Sequence, residues 1–85
     1  MAKIIIRKGH IHLRLETRPL EEHIKFFFCD TEVTESHFET IKYHIEKSIR
    51  EGYYISETTC WNMLYFKNAD EYKERYGKLL INRGD

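Results

Sequence analysis

Proline, glycine and cysteine are all scarce in this chain of 85 residues. There is one proline, Pro19, and the four glycines are scattered at 9, 52, 77 and 84. That scatter excludes a glycine-rich phosphate cradle, which needs several glycines in one turn. It also leaves no flexible linker, so residues 1–85 form one domain, with a frayed tail expected over 81–85. The two cysteines, Cys29 and Cys60, have no short-range partner spacing, which excludes a zinc ribbon and a disulfide-rich scaffold. Net charge is absent too: 14 basic residues meet 14 acidic ones. A domain whose main work is binding a polyanion carries a basic surplus, and this one does not. No apolar run approaches the length of a membrane span, and the opening MAKIIIRKG lacks the apolar core and cleavage site of a signal peptide. The chain is therefore expected to be cytoplasmic, with reduced thiols and no membrane partner.

What the chain does have is aromatic rings. They make up 14% of residues, as five Phe, six Tyr and one Trp, within a globular balance of 41% hydrophobic and 33% charged residues. A domain this small buries only roughly 60% of its unfolded surface, so some of these rings stay near solvent. Rings beside charge are the residues that dominate protein interfaces. Charge is also unevenly spread. Lys3, Arg7, Lys8, Arg14 and Arg18 face only Glu16 in the first eighteen residues, whereas residues 19–40 are acidic apart from Lys25.

The most legible element is residues 34–52. Phe38, Ile41, Ile45 and Ile49 recur at steps of three and four, which places them on one side of a helix. Two start signals compete, a hydrophobic staple of Val33 and Phe38 around Thr34 and a capping box of Ser36 with Glu39. Gly52 supplies the left-handed stop. Tyr43 falls on the outward side.

Before this helix, residues 2–16 read as a hairpin turning at Lys8-Gly9. That turn pairs Ile6 with Ile11 and Ile4 with Leu13. It sets Ile4, Ile6, Ile11, Leu13 and Leu15 on a core face, with Lys3, Ile5, Arg7, His10, His12 and Arg14 on the other. Residues 24–29 have strand composition, although Pro19 to Glu22 resembles a helix start; the strand is preferred, pairing Leu13 with Ile24 and Ile11 with Phe26. Residues 30–33 read as a turn. After Gly52, residues 53–66 are rich in aromatic and β-branched side chains and read as one or two strands, with 61–66 interior to the sheet; a short helix capped by Ser56 competes. Asn68 with Glu71 opens a last helix running to about Leu80. The expected fold is α+β: a mostly antiparallel sheet of four or five strands with two helices on one face, ordered β-β-β-α-β-(β)-α.

Three functional readings follow. A non-catalytic domain that binds a larger protein is preferred, with Tyr43, Tyr53, Tyr54, Tyr65, Tyr72, Tyr76 and Trp61 as contact candidates. In class, though in no motif, such a chain resembles small phage- or plasmid-encoded proteins that inhibit a host enzyme or defence complex by masking a surface. The alternative is RNA or DNA binding, with Lys3, Arg7, Lys8, Arg14 and Lys25 neutralising phosphates and Phe27 stacking on a base. The third is a metal held by His10, His12 and His23, since alternate residues of a strand reach the same side; cations on that side oppose it. Catalysis is not expected, because neither cysteine has a local base motif and paired acids such as Glu21-Glu22 read as surface charge. No cofactor is expected. An uncovered sheet edge leaves room for a homodimer.

Overall fold

A computed structural model of the chain describes residues 2–17 and 24–82. The signals at Pro19 to Glu22, His23 and the last three residues of the expected tail lie outside the described residues. The fold is α+β, as expected, but the elements are divided differently. Four antiparallel strands come first, β1 (Ala2–Lys8), β2 (Ile11–Thr17), β3 (Ile24–Phe28) and β4 (Thr31–Val33), in spatial order β1-β2-β3-β4. Three helices follow, α1 (Glu35–Glu51), α2 (Glu57–Met63) and α3 (Ala69–Asn82).

The first hairpin turns at Gly9-His10, one residue later than expected, so that Lys8 faces Ile11 and Ile6 faces Leu13. The reason lies in the backbone. A Lys8-Gly9 turn of the tightest hairpin type asks Lys8 for a positive φ; moving the turn leaves that demand on Gly9 alone, at φ +62°. A bulge then inserts Ile5 between the pairs Ile6–Leu13 and Ile4–Arg14. One extra residue inverts the side-chain alternation below it. Ile4, expected in the core, shares the open face with Arg14 and is 48% exposed, while Lys3 pairs with Leu15 on the helix side. Ile5, expected outside, packs against the core.

The β2–β3 pairing is also shifted, joining Leu13 to Phe28 and Leu15 to Phe26 where Leu13–Ile24 and Ile11–Phe26 were expected. The shift is even, so every side chain keeps its expected face. Residues 31–33, expected as a turn, continue as β4, with Val33 opposite Phe26.

The helices pack on the face that carries Leu13, Phe28 and Val33, all fully buried. Phe38 of α1 meets Phe26 at 4.9 Å between ring centroids. α1 starts at Thr34, whose hydroxyl accepts the His37 N–H, so Thr34 and not Ser36 is the cap. It ends at Gly52, at φ +77°, where Gly52 N–H donates to Ser48 O. The buried stripe is Phe38, Ile41, Ile45 and Ser48; Ile49, assigned to it from the sequence, is 50% exposed. Helical spacing allows either residue, and the serine satisfies its hydroxyl by donating to Ile45 O at 2.8 Å.

Residues 61–66 are not an interior strand. Ser56 caps α2, its side chain accepting the Thr59 N–H, and Cys60, Trp61 and Leu64 face the core. The β-propensity of this run yields to a capped turn whose apolar residues suit a helix as well as a strand. Trp61 lies edge-on to Phe28 at 5.1 Å, and its indole N–H donates to Glu57 one turn back. Asn68 caps α3 by accepting the Glu71 N–H.

Candidate protein-contact surface

The sequence nominated seven aromatic residues, and the fold divides them. Trp61 and Tyr72 are buried at the junction of sheet and helices, which removes them from any contact surface. Ring packing explains this: Tyr72 touches Trp61, Phe66 and Tyr76, and the last lies stacked on it at 4.9 Å and 20°. Tyr76 is half-buried as a result. Small domains fill a core efficiently with rings, because each buries much area for little rotamer entropy.

Tyr43, Tyr53, Tyr54 and Tyr65 are exposed. Tyr43 stands on the outward side of α1, its ring edge-on to His44 at 5.3 Å. Tyr53 follows the Gly52 stop and has the Lys8 ammonium 5.9 Å from its ring centroid. Tyr54 and Tyr65 flank α2 at either end and are 81% and 89% exposed. Tyr65 also has φ +69°, a left-handed conformation that a bulky side chain adopts at a cost of roughly 1–2 kcal/mol. Gly or Asn would hold the same backbone more cheaply.

The basic set does not form one surface. Lys3 and Lys8 register on the helix side of β1, leaving Arg7, Arg14, Lys25 and Phe27 on the open face. Lys8 Nζ donates to Ser48 O at 3.0 Å and to Tyr53 O, so its charge serves the C-terminal end of α1. Arg14 lies 4.5 Å from the Phe27 ring centroid and pairs with Glu16 at 3.0 Å and Asp30 at 3.8 Å. Lys25 sits opposite Glu16 across the β2–β3 pair. The cations of this face are thus interleaved with carboxylates.

Of the three metal candidates, His10 is exposed in the turn and His12 is half-buried opposite Arg7; His23 lies outside the described residues. Among the described residues no group of three or more His, Cys, Asp or Glu is placed to hold a metal ion. Burial pushes the Cys60 thiol up to about 12 and also raises that of Cys29, the opposite of what activates a nucleophile.

Helical spacing places His37 on the flank of the α1 stripe, as a half-covered boundary residue, and it is half-buried there. Its Nδ1 lies 2.9 Å from the Tyr72 hydroxyl and 3.0 Å from Thr34 Oγ1, and its ring stands edge-on to Phe66, Tyr72 and Tyr76. Burial lowers its pKa below 6.5. Its flank position on α1 was legible, but its partners come from the far end of the chain. No helix among the described residues is long and apolar enough to cross a membrane. The chain matches no protein-family model, no curated protein and no solved structure.

Proposed function

We propose that this chain is a small non-catalytic cytoplasmic domain that binds a larger protein through exposed aromatic side chains, Tyr54 and Tyr65 foremost. The observation that carries the reading is Tyr65. Its left-handed backbone closes α2, with Tyr65 N–H donating to Asn62 O and Phe66 N–H donating to Trp61 O, yet the ring is 89% exposed at a position that glycine or asparagine would fill at less cost. Backbone strain of this kind concentrates where side chains contact ligands, and tyrosine is among the side chains most often found at interface hot spots. Masking a functional surface of that larger protein, as an inhibitor does, is the form of binding that suits a domain with so few chemical groups to spare.

Nucleic-acid binding ranks second. The Arg14–Phe27 pair, on the sheet face away from the described helices, offers a stacking platform. Against it stand the two carboxylates on Arg14 and the zero net charge.

The test is a comparative pull-down from cells that naturally produce the chain. Tagged wild-type protein retains a near-stoichiometric protein partner after nuclease treatment, and the double variant Tyr54→Ser, Tyr65→Gly loses it while keeping the same circular dichroism. Recovery of nucleic acid alone, or equal retention by the double variant, overturns the reading.

A further inference from the structure

We propose that the outer edge of β1 docks an extended acidic segment of the partner protein, which adds to the four-stranded sheet beside β1. The proposal rests on the protein-binding reading and names the chemistry of what is bound.

β1 ends the strand order, and among the described residues no strand pairs with its outer edge. It is seven residues long, so half of its N–H and C=O groups point away from β2 along a sizeable edge. A helix packs against each outer strand, α1 on β1 and α3 on β4, but the opposite edge is much shorter, since β4 has three residues. An open row of main-chain donors and acceptors is read by another peptide backbone, whose spacing of about 3.3 Å per residue matches it. Phosphates have no such match, which favours a protein segment over nucleic acid.

Charge selects the kind of segment. β1 reads Ala-Lys-Ile-Ile-Ile-Arg-Lys, with three cations and no acid. Lys3 and Arg7 are exposed, and the bulge at Ile5 puts them on opposite faces, Lys3 with Leu15 and Arg7 with His12. An incoming strand therefore meets a cation on either face, and side chains of both parities gain from being acidic. Ile4, 48% exposed on the open face, offers an apolar contact to a β-branched residue between the acids. The bulge bends the strand at its middle residue, so regular pairing covers the residues on each side of it, 2–4 and 6–8.

The same charges oppose self-association. Antiparallel pairing of two β1 strands brings together the three cations of each copy with no acid between them, and the bulge at Ile5 of each copy interrupts the ladder. The occupant is thus a different chain and not a second copy.

The experiment is an amide-resolved NMR titration of the purified chain with a capped peptide in which runs of adjacent glutamates, and so acids of both parities, flank a central valine. Two control peptides accompany it: one with lysine for every glutamate, and one with the same acidic side chains but alternate amides N-methylated. The acidic peptide is expected to shift the β1 amides and slow their hydrogen exchange, with neither control doing so. In the double variant Lys3→Glu, Arg7→Glu the acidic peptide binds about tenfold more weakly and the lysine peptide gains. Absence of β1 shifts, shifts centred elsewhere, or an equal response to the N-methylated peptide overturns the proposal. So does dimerisation of the free chain through β1. The pull-down separates the two readings: a partner lost with the Tyr54/Tyr65 variant but retained by the Lys3/Arg7 variant leaves protein binding standing and removes the edge as its site.

Discussion

The Tyr72 hydroxyl lies 2.9 Å from His37 Nδ1 and also accepts the Thr34 backbone N–H at 2.9 Å. One side chain of α3 thereby occupies an N-terminal donor of α1 that helix geometry leaves without a partner inside the helix. Having accepted from Thr34, the hydroxyl has its own proton to give to Nδ1. The arrangement is satisfied when His37 is neutral, with its ring proton on Nε2.

Removing that hydroxyl is expected to cost more than an ordinary surface change. Tyr72→Phe keeps the ring stack on Tyr76 but takes the hydroxyl from Thr34 N and His37 Nδ1. The expected loss is about 1–3 kcal/mol, measured as a lower urea midpoint with an unchanged slope. A midpoint equal to wild type would refute the tie between the helices.

His37 is expected to make stability depend on pH below neutrality. Its folded pKa is lowered by burial, so between that value and 6.5 the unfolded chain binds the extra proton. Stability is fully present above about 6.5 and declines as pH falls through this window. His37→Gln removes that part of the slope. Urea midpoints from pH 7.5 to 5 for both proteins check it, and an NMR titration of His37 gives the direction of its pKa independently.

Tyr65→Gly is expected to stabilise the fold by roughly 1 kcal/mol, because glycine adopts φ +69° without the Cβ penalty. A raised melting temperature together with lost partner binding is the signature of a strained contact residue. A lowered one shows that the Tyr65 ring supports the fold.

Gly77 lies within α3, and a Cβ added there meets no atom within 4 Å. Gly77→Ala is expected to add about 0.5–1 kcal/mol through helix propensity alone. Thermal melts of the two proteins decide it.

Lys8→Met removes the ammonium from Ser48 O and Tyr53 O at the end of α1 while keeping an apolar stem. The expected cost is about 0.3–1 kcal/mol. Lys3→Met, at an exposed position without such a contact among those described, is expected to stay within about 0.5 kcal/mol of wild type. Equal effects in a paired denaturation series would remove the capping role of Lys8.

The chain by itself determined whatever depends on near neighbours. α1 was legible from Phe38, Ile41, Ile45 and Gly52, because helical spacing and a left-handed stop are local. The Asn68 cap and the inner faces of β2 and β3 were legible for the same reason, since period-two alternation survives any even shift of register. The open contact candidates Tyr43, Tyr53, Tyr54 and Tyr65 were found by composition, although Tyr72 and Trp61 had the same chemistry and went to the core.

Tertiary structure decided what two distant segments must agree on. A single extra residue at Ile5 moved Ile4 to the open face and Lys3 to the helix side, where it stays exposed, and the energy difference behind such a bulge lies in packing that no window of β1 contains. Residues 57–63 became a helix because Trp61 packs against Phe28 and Tyr72 there, contacts across more than thirty and ten residues of chain respectively. The basic face dispersed because Lys8 found the carbonyls of Ser48 and Tyr53, and Arg14 found Glu16 and Asp30. His37 gained its lowered pKa only when Phe66, Tyr72 and Tyr76 closed around it. Desolvation is a property of the assembled surroundings, so composition alone cannot carry it.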